Sequence, residues 1–129
     1  MNYLPTSIQL HQKTRVLEIE FTNNKRFELP CEYLRVFSPS AAVQGHSPEQ
    51  AVLQTGKETV NIVAIKPVGQ YAVKLVFDDK HSSGLYTWDL LYSLGQNRLQ
   101  NWQDYLQRLH QADHQRIVQA TDKLLETSI

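Results

Sequence analysis

An α+β fold is predicted, with small antiparallel sheets in the first two-thirds of the chain, covered by helices, and a helical C-terminal tail. Three observations predict it. Runs such as RVLEIEF (15–21) and YAVKLVF (71–77) alternate in side-chain character, the two-residue period of a half-buried strand. From Asn97 onward there is neither Gly nor Pro, and Leu99, Trp102, Leu106 and Leu109 recur at three- and four-residue steps, the period of an amphipathic helix. Strands come first and helices later, which argues against a doubly wound sheet.

The elements follow in order. SIQL (7–10) is a short strand. In RVLEIEF, Leu17, Ile19 and Phe21 share one face. TNNK (22–25) is a turn, because Asn tolerates left-handed backbone angles, and RFEL (26–29) completes a hairpin. Pro30 stands at the first position of a helical turn through Cys31, Leu34 and Phe37, where its missing N–H costs little. Ser38-Pro39-Ser40 ends that turn, since the residue before proline disfavours helix. Residues 40–58 lack periodicity and read as the longest loop. VNIVAI (60–65) is apolar on both faces, the pattern of an interior strand. KPVGQ (66–70) breaks it, and YAVKLVF returns antiparallel. Thr87 caps a helix from Trp88 to about Leu94, with Gly95 as its stop. Ile117, Ala120 and Leu124 continue the tail's stripe more weakly, and Asp113 interrupts it, as one kinked helix or two.

Composition excludes several classes of function. The 129 residues suit one domain. With 13 basic and 13 acidic residues the formal net charge is zero, and no run of Lys and Arg offers a phosphate-binding surface, so no nucleic-acid partner is expected. The single cysteine, Cys31, makes neither an intrachain disulfide nor a cysteine zinc cage, and fits a reducing compartment. MNYLPTSIQLHQK lacks the apolar core of a signal peptide, and no window reaches the ~20 apolar residues of a membrane helix. A cytoplasmic protein without membrane contact is expected.

The chemistry-bearing stretch is FDDKHSSGLYTW (77–88). Asp78, Asp79 and His81 offer two carboxylates and an imidazole within four positions. Alternate residues of a strand share a face, so Asp79 and His81 would converge there. Such donors suit zinc, iron or manganese, and an Asp–His pair also suits acid–base work. The same letters describe a polar turn in which Asp and Ser bond their own backbone and Gly84 supplies permissive angles, and this reading is favoured. Cys31 reads as a small buried apolar residue, although Arg35 lies one helical turn away. His11, His46, His110 and His114 share no ligand spacing, and HQADH (110–114) lacks the HExxH pattern. Tyr86, Trp88 and Trp102 read as core.

Three phrases, LPCEYLRVFSPSA (29–41), IVAIKPVGQYAVKLVFDD (62–79) and HSSGLYTWDLLYSLG (81–95), resemble a domain-of-unknown-function family also described as gamma-butyrobetaine hydroxylase-like N-terminal domains. The resemblance covers residues 5 to about 95. It implies a domain over 1–95, with 96–129 as a helical extension packing on that domain. It also implies a module found alone, fused to Mrp-type P-loop ATPases of iron–sulfur cluster delivery, and ahead of the catalytic domain in the hydroxylase. There the domain resembles a zinc module, with three cysteines after an LR motif and a later histidine. In this chain Leu34-Arg35 match the LR, Ser38, Ser40 and Val43 stand at the cysteine positions, and His81 stands at the histidine. Serine hydroxyls stay protonated and valine has no donor, so no cofactor is expected and the zinc site is expected to be lost. Lys80 stands where relatives tend to carry Gly. If that position is left-handed, Lys costs ~1–2 kcal/mol.

The function expected is a non-catalytic binding or adaptor module accessory to iron–sulfur or iron-enzyme maturation. Its binding patch would be Arg35, Ser38, Ser40, Asp78, Asp79 and His81. A protein partner is expected, with the chain a monomer or a weak homodimer through its C-terminal helix. The alternatives are a weak metal-binding protein using His81 with Asp78 or Asp79, and a small enzyme with an Asp79–His81 acid–base pair.

Overall fold

The computed structural model describes residues 3–45 and 51–126. Two three-stranded antiparallel sheets carry four helices, so the fold is α+β as predicted. The first sheet is a meander of β1 (Pro5–His11), β2 (Val16–Phe21) and β3 (Arg26–Pro30). Ile19 lies opposite both Ile8 and Phe27, and Leu17 opposite Leu29, which places the apolar sets of neighbouring strands on one face. Leu17, Ile19, Phe21, Phe27 and Leu29 are all buried. Asn24 takes the left-handed angle expected of the turn, with φ of 67°.

Pro30 is the last strand residue and the cap of α1 (Cys31–Val36), one position before the helix proper. Every residue of α1 is buried, Glu32 and Arg35 included. The Tyr33 hydroxyl donates to the Leu94 carbonyl at 2.6 Å, and the Tyr86 hydroxyl to the Leu34 carbonyl at 2.6 Å. These two bonds hold α1 to elements that follow it by 61 and 52 residues. After Ser38-Pro39 the chain forms a further short helix, α2 (Ala41–Gln44), within the stretch expected to be loop. Ser40 starts it, accepting from the Ala42 amide at 3.2 Å. His46 and the rest of 46–50 lie outside the described residues.

The second sheet has the order β4 (Ile62–Val68), β5 (Ala72–Phe77), β6 (Leu85–Thr87). Three expectations are corrected here. First, β4 is an edge strand rather than an interior one, and Val63 is 52% exposed. Second, β4 runs through Lys66-Pro67 to Val68, just before Gly69, since an edge position tolerates a proline that cannot donate to the ladder. Third, Leu85–Thr87 is a strand, pairing Val73 with Tyr86. On β5, Val73, Leu75 and Phe77 are buried, whereas Tyr71, just before the strand, is exposed.

Thr87 caps α3 (Trp88–Gln96), accepting from the Leu90 amide at 3.1 Å. Gly95 does not stop this helix. It lies within it, buried, and a Cβ there would run into the Phe27 ring. Its role is close approach of α3 to β3. The next helix, α4 (Arg98–Gln111), buries Arg98 and places Trp102, Tyr105 and Leu109 in the common core. The helical pattern ends there. Asp113 is left-handed (φ 60°), residues 114–119 are irregular, and a 3-10 turn (Ala120–Leu124) lies against β3. Ile117 is therefore 69% exposed instead of continuing a buried stripe. Arg116 and Leu125 take the inward positions.

Replacing Gly95 by Ala is expected to destabilise the protein by about 1–3 kcal/mol, the usual cost of overpacking. Urea denaturation checks this: the midpoint falls while the slope stays constant.

Candidate functional site

The site is built where the segment after α1 meets the β5–β6 loop. The β5 end turns tightly: the Lys80 amide bonds the Phe77 carbonyl at 3.2 Å, and the Phe77 amide bonds the His81 carbonyl at 2.9 Å. Lys80 adopts φ of 70°, so the position does demand the left-handed angle that glycine would supply without strain. Gly84 has a different task from the one expected. A Cβ there would approach Ser38 Oγ to 2.5 Å, so its smallness lets the loop close on Ser38.

Of the six expected patch residues, five lie in one network. Arg35 Nε donates to Asp79 Oδ2 at 2.9 Å, and Lys57 Nζ donates to the same oxygen at 2.7 Å. The His81 amide donates to Asp79 Oδ1 at 3.2 Å. Ser38 Oγ and His81 Nε2 are 2.8 Å apart, the Ser40 amide donates to Ser38 Oγ at 3.2 Å, and Ser40 Oγ bonds Ser83 Oγ at 2.5 Å. Asp78 stands apart: its Oδ1 accepts from the Asn61 amide at 3.1 Å and ties the loop to the start of β4. The sequence reading missed Lys57, Gln54, Asn61 and Ser83. Gln54 and Lys57 come from an aperiodic loop, which carries no signal that it folds back on Arg35.

Electrostatics follow from this packing. Burial opposes ionisation of Asp79, but Lys57, the His81 amide and Arg35 together override it and hold the carboxyl at about 2. Burial pushes the His81 ring below its ordinary value, and the Arg35 and Lys57 charges add to that against the opposing pull of Asp79. His81 is thus neutral at neutral pH. Burial pushes the Cys31 thiol up to about 11, and its Sγ lies 3.7 Å from Asn61 Oδ1, so it is an unreactive core residue.

Ser38 and His81 have the separation of a nucleophile and its base, yet Ser38 is wholly buried. Asp79 holds the histidine's backbone rather than orienting its ring. Of the four positions that the resemblance pairs with zinc ligands, Ser38 bonds His81 and accepts from the Ser40 amide, whereas the Ser40 hydroxyl turns to Ser83 and Val43 is buried without a donor. One imidazole with neutral hydroxyls does not fit a zinc ion. Among the described residues no three His, Cys, Asp or Glu side chains gather as a metal would require.

Fold and site together define a small α+β domain whose polar cluster is closed by hydrogen bonds between two loops. The profile of the family described as "Gamma-butyrobetaine hydroxylase-like, N-terminal" matches residues 8–92, and the chain belongs to that family. Two solution NMR structures, each described only as a protein, are similar to it. One is 51% identical over 92% of this chain and 91% of its own, with a TM-score of 0.78. The other is 49% identical over 88% and 90%, with a TM-score of 0.76. A crystal structure from Acidithiobacillus ferrooxidans ATCC 23270, described as a protein of unknown function in the DUF971 family, is 36% identical over 70% of this chain and 91% of its own, with a TM-score of 0.60. A comparison with curated proteins found no match. Among the described residues no helix is long and apolar enough to cross a membrane.

Two outcomes are expected. Lys80→Gly should stabilise the protein by about 0.5–1 kcal/mol, the relieved left-handed strain less the entropy that glycine adds to the unfolded chain. Thermal melts of both proteins measure it. Asp79→Asn should cost about 1–2 kcal/mol near neutral pH. Because the folded carboxyl titrates at about 2, below its ordinary 3.8, its contribution is complete above about pH 4 and lost as pH falls toward 2. Denaturation of both proteins across pH 2–7 should therefore show their difference shrinking in that window.

Proposed function

We propose that the chain is a non-catalytic binding or adaptor module of the cytoplasm, accessory to iron–sulfur or iron-enzyme maturation. The observation that carries this reading is the inward closure of the cluster. Asp79 has both oxygens engaged, Ser38 is sealed behind His81, and the imidazole is neutral. Such a network fixes the shape of two loops and leaves a polar rim for a protein partner. The maturation role draws support from the family that the sequence resembles, whose domains are fused to cluster-delivery ATPases. The metal-binding and acid–base alternatives have less support, because Asp78 turns to Asn61 and Asp79 to the His81 backbone.

Affinity capture from native lysate, with metal analysis of the same sample, tests the reading. The expected result is enrichment of a cluster-assembly protein or P-loop ATPase by the wild-type chain, weakened at least tenfold by His81→Ala. Zinc well below one equivalent and a melting temperature unchanged by chelator are also expected. Absence of any such protein above the control would overturn the maturation role. A stoichiometric zinc whose removal melts the protein would overturn the adaptor reading.

A further inference from the structure

The segment that follows α4 inserts one charged side chain into the domain. Arg116, 7% exposed, meets Glu32, 5% exposed, through two parallel bonds: Nε to Oε2 at 2.7 Å and Nη2 to Oε1 at 2.6 Å. Its outer nitrogens also donate to Asp122, at 2.8 and 2.7 Å. Its guanidinium plane lies 4.7 Å from the centre of the Trp102 ring. A buried carboxylate beside an indole face is a receptacle for arginine, since a planar fork matches the carboxylate and stacks on the ring while an ammonium does neither as well. Glu32 and Trp102 belong to α1 and α4; only Asp122 comes from the strap itself.

The strap sits in a trough that it only partly fills. On one side of Ala120–Thr121 a hollow of about 260 Å³ reaches Glu32, Pro30 and Val60. On the other a hollow of about 460 Å³ reaches Val16, Glu18 and Glu28. Thr14 lines both, so the strap divides a single depression along the first sheet. The neighbours of Arg116 are not buried with it: Ile117 is 69% exposed and Val118 79%. Glu32 and most of the trough lie within the family-matched residues 8–92, whereas the whole strap lies beyond them.

We propose that this trough is a docking site for a peptide bearing an arginine six residues before an acidic residue that a turn folds back onto it. Residues 114–125 of the chain are its resident occupant, and a partner's segment of the same chemistry displaces them. The strap itself establishes the complementarity: Glu32 and Trp102 hold Arg116, and Asp122, six residues on, folds back to pair with the other side of the same guanidinium. The site shares no residue with the Asp79–His81 cluster and does not rest on the maturation reading.

The test uses the full chain and a labelled synthetic peptide of residues 112–126. In the wild type the tethered strap competes at an effective concentration on the order of mM, so the peptide is supplied in that range. Hydrogen exchange of the wild type is expected to rise in residues 117–126 when the peptide is added, and not when the peptide carries Arg116→Lys. The Arg116→Gln protein is expected to bind the native peptide at least tenfold more tightly than the wild type does, and Glu32→Gln in that background to abolish the gain. Unchanged exchange in the wild type, or equal action of the Lys peptide, would overturn the proposal. The exchange measurement decides the matter if Arg116→Gln fails to fold.

Discussion

The burial of α1 on every side is the constraint from which the rest follows. A six-residue helix at the centre of two sheets has no solvent face, yet it carries Glu32 and Arg35. An unpaired charge at such depth is prohibitive, so each must find an opposite charge from elsewhere in the chain. Arg35 takes Asp79, 44 residues later, and Glu32 takes Arg116, 84 residues later. These pairs fix the β5–β6 loop and the C-terminal strap respectively. For Arg116 burial alone would favour the neutral form, but the two carboxylates override it and push its titration upward. The loop cluster and the strap are, physically, the places where the charges of the central helix are neutralised.

The loop cluster is held together by hydrogen bonds and ion pairs. Ser38 and His81 meet through a hydrogen bond, and Val43 adds apolar burial. The bonds from Arg35 and Lys57 to one carboxylate oxygen supply the tie between the loops. Such charge-assisted bonds are stronger than neutral ones in partly buried surroundings.

Much of this was legible in the residues. The alternation of β2, the Asn24 turn and the Thr87 cap are local properties, set by neighbours in sequence, whereas the left-handed angle at Lys80 is raised only by the resemblance to relatives with Gly there. The misreadings arise where tertiary packing decides. Gly95 looked like a helix stop because its other use, admitting the Phe27 ring, depends on a strand nearly 70 positions earlier. The tail reads in sequence as one kinked helix or two, interrupted at Asp113; the break does fall there, in a left-handed turn, but no second α-helix follows, and Arg116 is instead drawn inward by Glu32. β6 has three residues, too few for alternation to register. Within the site, Arg35, Ser38, Ser40, Asp79 and His81 were named in advance, and only Asp78 departs. Lys57 and Gln54 were illegible because their position depends on the path of a loop.

The outer strand of the second sheet has a bearing on how the molecule behaves in a crowded solution. An edge strand such as β4 is a template for pairing with another chain, although the Ile62 carbonyl at its start is already taken by Gln12. Here Pro67 removes one ladder donor from that edge, and Lys66 lies directly across from Lys74 on the adjoining strand. An incoming strand would meet a gap in its hydrogen bonds and two positive charges side by side. The small loss of sheet stability from the lysine pair offsets a larger hazard, since it discourages the stacking by which exposed edges seed fibrils.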